Sequence, residues 1–197
     1  MEWLDTIFAR QPILQSERLE LRPITLSDLG GMFDLYGDAR LARTNAWDPV
    51  PDISAARAKI EKIQQQFRDK THLRYGLFLR ENPGEFIGEV AWVRFDARFK
   101  RVETGYNLRH AFHGRDLMTE ADYTLLKYGF TQLPIQSFQA VVLPDNQPSV
   151  RLLERIGFAA EGRWRKAAPF QGGWEDLLIF GCLAEDLRMS DVAKGRQ

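Results

Sequence analysis

The sequence predicts one mixed α/β domain folded around a single sheet. Period-two alternation of apolar residues marks strands and three-and-four spacing marks helices. In chain order these run strand, two helices, three strands, helix, strand, helix, two strands. Turn residues fall mainly between the periodic stretches. A length of 197 residues suits one domain with a substantial core, and no repeat, low-complexity tract or composition shift divides it. Residues 1–15 read as an extension or short helix packed on the domain, 16–187 as the domain, and 188–197 as a tail.

Residues 19–24 alternate and form the first strand. Thr25 with Asp28 three places on is a capping-box-like helix start, after which Leu26, Leu29, Phe33 and Tyr36 make an apolar face. The pair Gly30-Gly31 weakens that helix. Residues 37–53 read as a loop, and a second helix begins near Ser54, with Ile53, Ala56, Ile60, Ile63 and Phe67 on its flank and face. Strands follow at 75–80 and 86–95, joined by the turn Asn82-Pro83-Gly84. Val102, Thr104, Tyr106 and Leu108 alternate with Glu103, Gly105 and Asn107, a strand with two distinct faces. Met118, Ala121, Leu125 and Tyr128 stripe the next helix, which stops near Leu133-Pro134. A strand at 135–143 and a short helix at 147–156 follow, the latter ending at Gly157, a left-handed cap. Residues 158–165 and 174–183 close the domain as a hairpin.

Composition narrows the function. Lys+Arg and Asp+Glu number 27 each, so no broad field favours nucleic acid or an anionic membrane. The basic run Arg163-Trp164-Arg165-Lys166 reads as a solvated hairpin. Cys182 is the only cysteine, which excludes an internal disulfide and is compatible with a reducing cytoplasm; its place in an apolar strand marks it as a small core residue. The N-terminus carries acids where a signal peptide carries bases, and no apolar run reaches membrane-spanning length. The expected setting is cytoplasmic, as a monomer or homodimer. His110-x-x-His113 has no acidic or thiol partner nearby, so no metal is expected.

The stretch 103–121 organises the chain. Its strand feeds a glycine-bearing loop, and the loop opens a helix, which aims unsatisfied N–H groups and the positive end of a helix dipole at one spot. Such a spot suits a phosphate. The surrounding residues, Glu103-Thr104-Gly105-Tyr106-Asn107-Leu108, then Gly114, then Thr119-Glu120-Ala121, resemble motif A of the GNAT acyl-CoA N-acetyltransferases, especially the ribosomal-protein alanine N-acetyltransferase branch. Asn146-Gln147-Pro148-Ser149 followed by Leu153-Glu154-Arg155-Ile156-Gly157-Phe158 is similar to that branch's second motif at matching spacing. The resemblance runs from Ser16 to about Leu187. It implies a GNAT-like mixed central sheet flanked by helices, with a splayed strand pair holding acyl-CoA.

The resemblance further implies acetyl transfer from acetyl-CoA to a primary amine, foremost a protein N-terminal α-amino group, with a polyamine, amino acid or antibiotic as the alternative acceptor. An idle CoA-binding module is the competing class. Backbone around Asn107, Leu108 and Arg109 is expected to hold the pantetheine arm, and His113, Gly114, Arg115, Asp116, Leu117, Met118 and Thr119 the pyrophosphate, with Asn146 at the second motif. Glu103 stands at the family's base position, with Glu89 and Asp176 as rivals, and Ser149 where a hydroxyl serves the CoA sulfur. Leu153 replaces the tyrosine that many family members use as acid. Trp47, Trp174 and Asp176 are expected around the acceptor. Asp116 departs from the pattern, replacing a second glycine. A carboxylate about 4 Å from a phosphate charge costs on the order of 4 kcal/mol at an effective dielectric near 20. Two escapes are expected: Asp116 caps the helix at Met118 or Thr119, or Arg109, Arg115 and His113 offset the repulsion.

Overall fold

The structure, a computed structural model, describes residues 2–45, 47–170 and 172–189. The tail reading therefore lies outside the described residues from 190 onward. Strands β1 (Leu14–Gln15), β2 (Leu19–Pro23), β3 (Leu73–Leu79), β4 (Asn82–Asp96), β5 (Arg101–Leu108), β6 (Ser137–Val142), β7 (Ala159–Phe170) and β8 (Gly173–Leu183) form one sheet in the order β1-β2-β3-β4-β5-β6-β8-β7. Every pairing is antiparallel except β5 with β6, whose parallel run requires the helical crossover between them. The helices are α1 (Glu2–Ala9), α2 (Leu29–Tyr36), α3 (Ala39–Asn45), α4 (Ile53–Arg68), α5 (Leu117–Gln132) and α6 (Gln147–Ile156). Among the described residues no helix is long and apolar enough to cross a membrane.

Period-two alternation gives the sheet two apolar faces, and each carries its own core. On one face α1, α5 and α6 pack over Leu73, Tyr75, Val90, Trp92, Val102, Phe138 and Phe180. Phe8 of α1 sits edge-on to Phe67 and Phe95 at 5.4 and 5.3 Å, so the N-terminal helix closes this core. On the other face Met32, Leu35, Leu41, Ile60 and Ile63 pack on Phe78 and Phe86.

Two readings of this second layer need correction. The buried stripe of α2 is Met32, Leu35 and Tyr36, whereas Leu26 is exposed and Phe33 half-buried. Gly31 turns the helix this way, because its missing side chain lets α2 sit against Phe86, where a Cβ would stand 2.6 Å from Phe86 Cβ. The segment 37–53 is not a plain loop but contains α3, opened by Asp38, whose carboxylate accepts the Arg40 N–H at 2.8 Å. Only Leu41 and Ala42 of α3 are buried, too short a stripe for periodicity to reveal. Gly157 ends α6 in the left-handed region at φ 112°, as expected.

Candidate active site

The sheet opens at one place. β5 and β6 pair only through Arg101↔Ser137, Val102↔Phe138 and Glu103↔Gln139, while β5 continues along β4 to Leu108 and β6 along β8 to Val142. Beyond Glu103 the edge of β5 that faces β6 has lost its ladder partner. The strands splay, and the gap holds a cavity of about 510 Å³. β5 forms one wall, the α6 face that presents Pro148, Ser149, Leu152 and Arg155 the other, and the start of α5 the end.

Free donors converge there. Among the described residues the N–H groups of Leu117, Met118 and Thr119 meet no protein acceptor; the first intrahelical bond of α5 is Glu120 N–H to the Asp116 carbonyl at 3.1 Å. All three residues line the cavity, with Gly114 at φ 73° in the preceding loop. His113 Nε2 donates to the Leu108 carbonyl at 2.9 Å, folding the loop back on the end of β5. Asn146 ties the second motif in place, accepting the Ser149 N–H at 3.3 Å and donating to the Thr44 carbonyl of α3 at 3.2 Å. Tyr106 donates to the Ser149 carbonyl at 3.5 Å, so β5 and α6 touch across the splay.

The cavity thus gathers Asn107, Leu108, His113, Gly114, Asp116, Leu117, Met118, Thr119, Asn146 and Ser149 from the expected site residues. It adds Leu41 and Thr44 of α3, and Arg155 and Leu152 of α6. Arg155 follows Leu152 and Pro148 at three- and seven-residue spacing, so the helical stripe through the second motif was the signal for it.

Other expected residues lie elsewhere. Asp116 does not cap α5. It sits at φ 55°, outside the extended conformation from which a capping side chain reaches the next turn, and its carboxylate forms an ion pair with Arg155. Nor does Arg109 offset its charge: that guanidinium binds Asp34 at 2.7 Å and the Phe86 carbonyl at 2.9 Å, on the far side of the strand. Arg115 is exposed and lies over the Phe112 ring at 5.8 Å. Trp47 packs on Tyr36 with ring centroids 5.2 Å apart, within the second core. Trp174 is exposed on the β7–β8 hairpin, and Asp176 accepts the Lys166 N–H at 2.7 Å and Arg163 at 2.6 Å. The Lys166 N–H and then Arg163 hold that carboxyl below its ordinary range.

Three carboxylates near the strands have different surroundings. Glu89 is wholly buried, and one oxygen receives Tyr36, Arg74 and, at 3.0 Å, the Asn107 amide. It braces Asn107 from behind the strand. Glu120 of the Thr-Glu-Ala run accepts the Ser16 hydroxyl at 2.7 Å, the Arg18 N–H at 2.8 Å and Arg18 Nε at 2.6 Å, tying the β1–β2 turn to α5. Glu103 lies at the last β5–β6 rung on the face away from α5, in a groove of about 500 Å³ shared with Arg94, Gln139, Glu161 and Trp164. Burial pushes its carboxyl up, opposed by Arg94 at 3.4 Å. Among the described residues no group of three or more His, Cys, Asp or Glu side chains is disposed to hold a metal ion.

Sequence comparison agrees with this geometry. The acetyltransferase (GNAT) domain profile matches residues 18–159. The chain belongs to the GNAT acetyltransferase family. Its relatives include the uncharacterized N-acetyltransferase p20 of Bacillus licheniformis, 30% identical over 88% of this chain and 97% of that protein. The [ribosomal protein uS5]-alanine N-acetyltransferase of Escherichia coli (strain K12) is 26% identical over 88% of this chain and 91% of its own length. Among solved structures, RimL, a ribosomal L7/L12 alpha-N-protein acetyltransferase in complex with coenzyme A, superposes with a TM-score of 0.78 at 22% identity, covering 87% of this chain and 98% of that one. This GNAT chain is an acetyl-CoA-dependent N-acetyltransferase. The cavity fits that cosubstrate: an unpaired strand edge for an amide-bearing arm and free N–H groups at a helix start for phosphates.

Proposed function

We propose that the protein transfers acetyl from acetyl-CoA to the α-amino group of a protein N-terminus, by direct attack of the amine on the thioester. The observation that carries the reading is the parting of β5 and β6 just beyond Glu103↔Gln139, which sets a carboxylate at the apex of the splay with a groove on its other side. The ribosomal-protein acetyltransferases among the relatives support a peptide acceptor.

In this reading the free N–H groups of Leu117, Met118 and Thr119 hold the pyrophosphate, and the unpaired edge of β5 around Asn107 and Leu108 orients the pantetheine amides. The amine enters by the open groove. Glu103 takes its proton, directly or through a water. A carboxyl raised by burial is closer in proton affinity to an amine than an ordinary one, which favours Glu103 over Asp176, whose carboxyl is held low. Glu89, one oxygen of which takes three donors, lies outside the cavity and serves as a brace. The Ser149 hydroxyl, on the wall formed by α6, donates to the departing thiolate. Leu153, fully buried in the core, has no proton to give, so that position supplies no acid in this chain.

Time-resolved release of free CoA thiol across a panel of N-terminal peptides and small amines tests the reading. Turnover with peptides bearing a free N-terminus, and loss of it when that terminus is blocked, is expected. Turnover confined to polyamines, amino acids or antibiotics would establish the small-molecule alternative, and binding without turnover on any acceptor an idle module.

A further inference from the structure

We propose that Arg155 is a ligand of the acetyl-CoA pyrophosphate and that Asp116 is the residue that positions it. The inference rests on the acetyl-CoA site described above. Asp116 occupies a left-handed backbone position of the kind glycine favours, at the mouth of a loop built to receive a polyanion. Alone, its carboxylate would oppose that polyanion. It is not alone, because one terminal nitrogen of Arg155 pairs with Asp116 Oδ1 across the cavity mouth.

The pair does two things. It offsets part of the charge of Asp116 beside the free N–H groups of α5. It also fixes a long side chain that would otherwise sample many rotamers, and a guanidinium has five N–H donors in a planar fork, enough to serve two anions at once. Asp116 is the one side-chain partner of Arg155 among the described residues, leaving the other donors available. The neighbouring cations are placed differently. Arg109 is committed to Asp34 and Glu85, and Arg18 to Glu120 and the Arg115 carbonyl. Arg40 of α3 pairs with Asp38, just before that helix. Arg151 also lines the cavity, but among the described residues no carboxylate holds it there. Arg155 is therefore the cation preset against the loop. The departure from glycine at position 116 becomes part of the phosphate site, with its opposing charge relayed through an arginine.

Calorimetric titration of the full chain with acetyl-CoA and with dephospho-CoA tests this. Arg155→Ala is expected to weaken acetyl-CoA binding at least 30-fold, because it removes a ligand and unmasks Asp116. Asp116→Gly is expected to tighten binding several-fold. In that background Arg155→Ala should cost about 10-fold, less than in the natural chain, and the coupling between the two positions measures the relay. Arg155→Lys keeps the charge and the tether but not the fork. It should unfold at the natural temperature and bind 3- to 10-fold more weakly, which separates ligation from folding. The penalties should be equal for acetyl-CoA and dephospho-CoA and should leave the acceptor KM unchanged. Natural or tighter binding by Arg155→Ala would overturn the proposal, as would an Arg155→Ala penalty that vanishes in the Asp116→Gly background or with dephospho-CoA. Failure of the natural chain to bind acetyl-CoA would overturn the cosubstrate site itself, a distinguishable result.

Discussion

Asp122 should make this protein less stable as pH rises through neutrality. It sits on α5 with no exposed surface, its Oδ1 accepting the Thr104 hydroxyl at 2.8 Å and its Oδ2 without a partner. Tyr106 and Cys182 are its other titratable neighbours, and neither carries a compensating positive charge. Burial therefore pushes its carboxyl up from 3.8 to about 7, with the Thr104 hydrogen bond pulling slightly the other way. Below pH 3.8 the group is protonated folded or unfolded, and above about 7 it is ionised in both. In between, the folded chain holds a proton that the unfolded chain has released, so stability falls with rising pH. At about 1.36 kcal/mol per pH unit the full loss is about 4 kcal/mol, of which about 3 kcal/mol falls between pH 5 and pH 8. Asp122→Asn keeps the shape and the acceptor oxygen but does not ionise. Urea unfolding of both proteins at intervals from pH 5 to pH 8 should show the variant gaining about 3 kcal/mol relative to the natural chain, roughly 6–12 °C in Tm. The difference between the two proteins is the quantity to read, because every other titration cancels in it. A difference that stays flat, or that shrinks as pH rises, would refute the reasoning.

Glu103→Gln is expected to lower kcat/KM by about 100-fold or more at pH 7, with the loss narrowing above the pKa of the amine, where no base is needed; a pH-independent loss would argue against proton transfer. Ser149→Ala should lower kcat with little change in acceptor KM, measured by steady-state thiol release. Glu120→Ala removes an acceptor that three donors share and should destabilise the fold by about 2–3 kcal/mol in thermal or urea unfolding. The adjacent glycines of α2 should respond with opposite signs. Gly30→Ala meets nothing within 4 Å and should stabilise by up to about 1 kcal/mol through helix propensity. Gly31→Ala drives a methyl to 2.6 Å from Phe86 Cβ, an overpacking of about 1–3 kcal/mol that outweighs the same gain. Equal shifts in Tm for the two would contradict the packing.

Local order along the chain was enough to place the strand that ends at Leu108, the helix start after its glycine-bearing loop and the short helix at 147–156. Each of those features depends on neighbours a few residues apart: period-two alternation in β5, the stripe of α5, the cap at Asn146 and the stop at Gly157. The splay was what the family resemblance implied. The partner of Asp116 was not legible in this way. Its carboxylate had a local alternative, the N–H groups of its own helix, and took instead a guanidinium 39 residues away that only the packing of α6 against α5 brings near. The same holds for Glu120, a motif residue whose partners lie more than 100 positions earlier, and for α3, whose two buried residues are too few to make a pattern. Trp47, Trp174 and Asp176 carried the right chemistry for an acceptor pocket. Where each stands depends on how the second core and the hairpin close, since a side chain's type sets what it can bind while its surroundings in three dimensions set what it meets.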